Sequence, residues 1–325
     1  MMHRAKRSSH EADTRQVTLI CTLKNEEGTI RDLLQSMCSQ TSQPEEVILV
    51  DGGSTDKTTE IINEPKYSRL PIRLIVQPGA NIAKGRNVAI GNSRTEIIAS
   101  TDGGCVLCRD WLRAIVEPFR ESSVDVVSGT YAPLTETQFE EVAACLTFPS
   151  IEALRSDAFM PSSRSVAFRK SAWASVGGYP EDLDTAEDTL FDIRLRDAGF
   201  RFALAKNAVV YWRARENLRQ IFRQFYGYSK GDGLALLFPR RYSYRYAAAF
   251  ALILAATKLW ESLAFWLTVG VLIVIILWVR SIRKITRPTP RKMLIALSIV
   301  LAMELSRLLG YGTGIYCRLR NSIMV

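Results

Sequence analysis

Histidine is nearly missing from this chain: two occur in 325 residues, His3 and His10, and both sit in the polar stretch before Val17. The part that folds therefore has no imidazole to accept a proton or bind a metal, and carboxylates must do any acid–base work. Cysteine is sparse and scattered. Cys21, Cys38, Cys105, Cys108, Cys145 and Cys317 show no disulfide-framework spacing in so long a chain, which points to a reducing compartment. Cys105 and Cys108 form a CxxC with no second pair, which argues against a structural zinc site. The opening "MMHRAKRSSHEADTRQ" is basic but has no apolar core, so it is no secretory signal, and the domain after it is expected to stay in the cytoplasm. Internal repeats and low-complexity tracts are also lacking.

A hydrophobic content of 47% excludes a mainly disordered chain. The net charge of +9 is concentrated in places such as "PRRYSYRY" and "VRSIRKITRPTPRK", beside long apolar runs. That is the pattern of cytoplasmic membrane flanks rather than of a nucleic-acid groove, so no nucleic-acid partner is expected.

From Val17 onward, apolar strands alternate with turns and amphipathic helices. Strands are predicted at "VTLICT", "EVILVD", "IRLIVQ", "EIIAST" and "VDVVSG", and "SSRSVAFRKSAWASVGGYP" offers a further strand, a short helix and a turn. The alternation implies an α/β domain with a mainly parallel sheet flanked by helices. At Tyr246 the composition changes to an almost uncharged run of more than thirty residues, interrupted by Lys258 and Glu261. Charges are costly at a bilayer centre, so these two predict a turn at the far surface of a transmembrane hairpin over about 246–279. Arg240, Arg241 and Arg245 before it and Arg280, Arg283 and Lys284 after it would then share one side. A third apolar helix, about 293–310, carries Glu304 and Arg307 and either spans the bilayer or lies along its surface. The expected organisation is a disordered tail at 1–15, a catalytic domain at 16–238 and a helical membrane region at 239–325. The alternative for the apolar segments is the core of a soluble bundle.

Polar clusters follow three of the strands: "TLKNEEGT", "DGGSTDKT" and "STDGG". Ligands of open α/β sheets bind at the carboxyl ends of strands, so the clusters should converge there. Asp51 and Asp56 can equally be read as a turn acid and a helix N-cap. Further on, "YPEDLDTAEDTLFDIRLRDAGFRF" is a turn and a helix closing at Gly199, with Glu187 and Asp188 in the first turn. Thr185 with Asp188, or Asp184 with Glu187, would make a capping box, yet the stretch holds more acid than a cap requires. "LRQIFRQFYGYSKGDG" is a later amphipathic helix. It packs with its polar face in water, or it offers Arg219, Arg223, Tyr226 and Tyr228 to a diphosphate or acceptor.

Taken in order, "VTLICTLKNEEGTIRDLLQSMCSQTSQPEEVILVDGGSTDKTTEII", "GANIAKGRNVAI", "IIASTDGG" and "GGYPEDLDTAEDTLFDIRLRDAGFRF" resemble the family-2 inverting glycosyltransferases over about Val17 to Lys230. The resemblance implies an A-type glycosyltransferase fold, a nucleotide-diphosphate sugar donor and Mg²⁺ or Mn²⁺. By position, Thr22 and Asp51 would hold base and ribose, Asp102 would reach the metal and diphosphate, and Asp188, beside Glu187, would be the catalytic base. Arg86 would lie near the donor; read as an isolated residue it is a helix-surface cation. The sequence departs from the pattern at Gly52, where many members have a second aspartate. It departs again at Ser100 and Gly103, which leave Asp102 alone in the metal motif.

The expected activity is transfer of a sugar to the hydroxyl of a sugar or lipid-linked acceptor, by an enzyme in the cell membrane with several spans and a cytoplasmic catalytic domain. One alternative is a degenerate, membrane-tethered protein that binds the nucleotide sugar without turnover. The other is a soluble nucleotidyltransferase, for which "TLKNEEGT" is too acidic a phosphate loop.

Overall fold

The computed structural model describes residues 16–154, 159–259 and 287–323, with 262, 264–268, 270–271 and 285 between them. The chain forms two compact units. One is drawn from Met1–Tyr131, Arg155–Gly178 and Asp192–Tyr211, the other from Ala132–Leu154, Tyr179–Phe191 and Trp212–Val325.

The first unit is built on a sheet of β1 (Val17–Leu23), β2 (Glu46–Asp51), β3 (Ile72–Val76), β4 (Ile97–Asp102), β5 (Cys105–Leu107), β6 (Val126–Leu134), β7 (Val166–Arg169) and β8 (Phe202–Arg213). Their order is β3-β2-β1-β4-β7-β6-β8-β5. β1 pairs parallel with β2 and β4, and β2 with β3, whereas β7 runs antiparallel to both β4 and β6. The parallel half is as expected, and the other half makes the sheet mixed. β1 and β2 are buried at every position, which is why they read as unbroken apolar runs. β5 and β8 lie beyond the strands predicted from the sequence. In β8 Lys206 and Asn207 break the alternation, and its burial has no clean period of two.

Helices α1 (Ile30–Cys38), α2 (Thr58–Ile62), α3 (Ile82–Gly91) and α4 (Trp111–Val116) join the strands. α1 buries Ile30, Leu33, Leu34 and Met37, one stripe at helical spacing. α3 starts at Asn81, whose Oδ1 accepts the Lys84 amide at 2.9 Å.

The second unit is helical. α5 (Gln138–Thr147) opens with a capping box between Thr137 and Glu140. α6 (Lys170–Ser175) belongs to the first unit and α7 (Glu187–Asp197) starts in the second; the second continues with α8 (Leu218–Leu234), α9 (Pro239–Leu259) and α10 (Pro290–Ile323). Val142 and Ala143 of α5, Ile221 of α8, and Ala296, Ile299 and Met303 of α10 share one core. α8 and α10 approach closely through glycine. A Cβ on Gly233 would stand 2.4 Å from the Tyr311 carbonyl oxygen, on Gly310 2.4 Å from that of Tyr226, and on Gly314 2.2 Å from that of Lys230.

α10 exceeds the expected 293–310 at both ends, continuing through "GYGTG", where Gly310 and Gly314 are held against α8. Among the described residues, Pro290–Ser322 is the one helix long and apolar enough to cross a membrane. Three of its charges are paired: Glu304 accepts from Arg245 at 2.9 Å and from Arg307 at 2.7 Å, and Lys292 meets Glu141 at 2.6 Å. α9 covers the first arm of the expected hairpin and ends at Leu259, one residue past Lys258. Glu261, most of the second arm, the basic residues after it and the tail 1–15 lie outside the described residues.

Candidate active site

Parallel pairing sets Thr22 beside Asp102 and Leu23 beside Asp51. Three adjacent strands therefore end at one level, and the three polar clusters meet at the carboxyl edge of the sheet. Thr22 Oγ1 is buried there without a hydrogen-bond partner among the described residues. A buried hydroxyl left unpaired is unfavourable, so it marks a place where a ligand atom would be welcome.

Asp51 is 1% exposed and folds its carboxylate back onto its own loop. Oδ2 accepts the amides of Gly53 at 3.1 Å and Ser54 at 2.8 Å, and Oδ1 accepts the Ser54 hydroxyl. Gly53, at φ +90°, supplies the left-handed residue this turn needs. The turn is knitted to the loop after β1. The Asn25 amide donates to Ser54 Oγ at 2.8 Å, the Thr55 amide to Asn25 Oδ1 at 2.8 Å, and the Glu27 amide to Asp56 Oδ2 at 3.1 Å. The Thr58 hydroxyl, at 2.5 Å, holds the Asp56 carboxyl below its ordinary value. Asp51 thus shapes the loop that faces the sheet edge.

Arg86 is 2% exposed, not a surface cation. α3 comes close to β1 at Gly85, where a Cβ would lie 2.7 Å from Thr22 Cγ2, and this approach carries Arg86 inward. Its Nη2 donates to Asp102 Oδ1 at 2.7 Å. The other carboxylate oxygen, Oδ2, stands 3.7 Å from Nε of Arg164, and Asp102 itself is 19% exposed. One carboxylate thus lies between two guanidinium groups.

The glycines after Asp102 leave room for a second carboxylate. A Cβ on Gly103 would fall 2.9 Å from Cγ and 3.3 Å from Oε1 of Glu26, whose carboxylate also accepts the Thr29 hydroxyl. Burial, reinforced by the Asp102 charge, raises the neighbouring thiols, Cys21 well above its usual value and Cys105 to about 12. Neither cysteine is a nucleophile at neutral pH. No group of three or more His, Cys, Asp or Glu is placed to hold a metal among the described residues. The oxygens of Asp102 and Glu26 do suit Mg²⁺ or Mn²⁺ when phosphate and water supply the remaining ligands.

In the second unit, Ala186 takes a positive φ of 66° and turns the chain into α7 at Glu187. Glu187 is buried, while Asp188 is partly exposed and accepts the Thr189 amide at 2.8 Å. Thr185 donates to the Gly227 carbonyl oxygen at 2.6 Å, so its hydroxyl is directed at α8 and not at the Asp188 amide. Asp232 of α8 receives the Tyr242 hydroxyl at 2.7 Å. Burial raises its carboxyl, the Tyr242 bond opposes that, and the charge of Asp188 adds to it. Of the later tyrosines, Tyr226 bonds Thr313 at 3.1 Å and Tyr228 accepts from Gln224 at 2.9 Å, so both serve packing around α8.

The sequence reading singled out Thr22, Asp51, Arg86 and Asp102, and these four meet at one sheet edge. Glu187 and Asp188 open α7 as expected. Glu26, Arg164, Asp232 and Tyr242 were missed. The glycine after Asp102 was the signal available for Glu26; Arg164 had none, since its partner is far away in sequence.

The chain matches the family model "Glycosyl transferase family 2" over residues 18–146 and "Glycosyl transferase family group 2" over residues 97–308. It is similar to the glycosyltransferase AglE of Haloferax volcanii, 30% identical, covering 64% of this chain and 71% of that one. It is also similar to the O-antigen chain rhamnosyltransferase RfbN of Salmonella typhimurium, 23% identical over 65% and 70% of the two chains. Among solved structures, the mannosyltransferase PcManGT of Pyrobaculum calidifontis in complex with GDP-Man and Mn²⁺ shares the fold. Its TM-score is 0.60 at 19% identity, covering 90% of this chain and 87% of that one. A sheet whose strands end in this acidic and basic cluster, matched by family models along most of its length, makes the chain a glycosyltransferase of family 2.

Proposed function

We propose that this enzyme moves a sugar from a nucleotide-diphosphate sugar to an acceptor hydroxyl with inversion at the anomeric carbon. The observation that carries the reading is the meeting of Thr22, Asp51, Arg86 and Asp102 at the carboxyl ends of three adjacent strands. The Asp51 loop and the Thr22 hydroxyl would receive base and ribose. Arg86 would hold Asp102 oriented towards the diphosphate. Asp102 and Glu26 would hold a divalent cation, which when bound offsets charge on the leaving phosphate. The complexes of the mannosyltransferase neighbour with GDP-Man and Mn²⁺ support donor class and cation.

Asp188 is the proposed general base, taking the acceptor proton as its oxygen attacks and the nucleoside diphosphate departs. Asp188 is partly exposed, which leaves its carboxylate open to an acceptor. One displacement gives inversion.

The helix Pro290–Ser322 supports a membrane anchor, and the apolar run from 246 with its basic flanks extends the proposal to a multi-pass anchor for a cytoplasmic catalytic domain spanning 16–238. Such an anchor suits a lipid-linked acceptor, and the similarity to an O-antigen chain rhamnosyltransferase agrees with polysaccharide or glycolipid synthesis.

The test is nucleoside-diphosphate release from a panel of sugar nucleotides by the full chain in detergent, with Mg²⁺, Mn²⁺ or EDTA and a lipid-extract acceptor. Cation-dependent release from one donor, abolished in Asp188→Asn, is expected. Binding of nucleotide sugar with no release under any condition would favour the binding-only alternative.

A further inference from the structure

We propose that Arg164 is the exchangeable cation of the site, leaving Asp102 to bind the diphosphate when the donor arrives and keeping it as the leaving group forms. The inference rests on the nucleotide-sugar reading above.

The two guanidiniums at Asp102 are held differently. Arg86 is 2% exposed, sits within α3 and makes a 2.7 Å hydrogen bond, the geometry of a fixed counter-ion. Arg164 faces the other oxygen at 3.7 Å, beyond hydrogen-bond range, and its side chain is 21% exposed. It stands in the turn before β7, and Nη1 donates to Ser162 Oγ at 3.1 Å. β7 pairs directly with β4, so the turn is anchored next to the strand that ends at Asp102 while the side chain reaches the edge.

Moving Arg164 from Asp102 therefore breaks no close hydrogen bond between them, and Arg86 still satisfies the carboxylate. A guanidinium gains more from a phosphate, whose oxygens it meets with two parallel N–H donors, than from a carboxylate it only approaches. The exchange also leaves Asp102 Oδ2 open to water or a cation at the moment the phosphates enter.

The experiment is a ligand-detected NMR titration of the full chain in detergent with uridine and guanosine diphosphates and with the corresponding nucleosides, for wild type, Arg164→Ala and Arg164→Lys. The expected result is a diphosphate affinity weaker by about 10- to 100-fold in Arg164→Ala, the size of a charged hydrogen bond, with nucleoside affinity unchanged and Arg164→Lys intermediate. Equal loss for nucleoside and diphosphate, or no loss for either, would overturn the assignment and make Arg164 a structural partner of Asp102. Should Arg164→Ala not fold, Arg164→Lys decides: selective loss of diphosphate supports the proposal and unchanged affinity overturns it. A wild-type chain that binds neither diphosphate while uridine or guanosine binds would instead sink the nucleotide-sugar reading itself.

Discussion

Arg86 Nη2 lies 2.7 Å from Asp102 Oδ1, joining the middle of α3 to the last residue of β4. The arginine is almost wholly buried and the aspartate is at the water's edge, so the pair fixes an acid that would otherwise turn freely at a strand end. Removing one member of such a pair leaves the other poorly solvated. Arg86→Met should lower unfolding stability by about 3 kcal/mol, read from the urea midpoint at unchanged slope. Asp102→Asn should lose most transfer activity with a smaller stability change, because the amide oxygen still accepts from Arg86. A fully stable Arg86→Met would show that the pair contributes little.

Asp188 makes few internal bonds, chiefly that with the Thr189 amide at 2.8 Å. Asp188→Asn should keep the melting temperature within a few degrees while cutting turnover by about 10²- to 10⁴-fold, the range for loss of a general base. Donor affinity should be retained. A variant with full turnover would remove Asp188 from the mechanism.

The contact of α8 with α10 depends on absent side chains. Alanine at Gly314 would put its Cβ 2.2 Å from the Lys230 carbonyl oxygen, a backbone atom that cannot swing aside. Gly314→Ala should cost about 1–3 kcal/mol through overpacking, although alanine favours helix. Gly91→Ala, where no atom lies within 4 Å, is the control. Detergent-phase thermal melts of both variants would reveal the difference.

The capping box of α5 has a pH signature. Glu140 accepts the Glu136 amide at 2.7 Å and the Thr137 amide at 2.8 Å, and these bonds, the first above all, hold its carboxyl below the ordinary value. With the folded value depressed, the unfolded chain takes up the proton first as pH falls. The stabilisation is therefore complete above about pH 4.3, the unfolded value, and disappears as pH drops through the folded one. Glu140→Gln should flatten that acid limb of the stability profile, and Thr137→Ala should cost about 1 kcal/mol at neutral pH.

Much of the sheet was legible because β1 and β2 are buried at every position and so must be apolar, ending where polar loops begin. β8 was not, since its burial alternates irregularly and its place depends on pairing with strands distant in sequence. Similarly, the apolar run of α10 was visible, but its extension through Gly310 and Gly314 was not, because only the close approach of α8 offsets the weak helix preference of glycine.

The chain by itself determined which residues stand at the ends of the first, second and fourth strands: Thr22, Asp51 and Asp102 follow from the hydrophobic pattern alone. Only tertiary structure decided what those residues touch. The sequence offers Arg86 as one helix cation among many and Arg164 as part of a polar turn. Whether a charge is a solvated surface group or a buried partner depends on which backbone approaches it. Here Gly85 against Thr22 brings one guanidinium in, and the pairing of β7 with β4 brings the other.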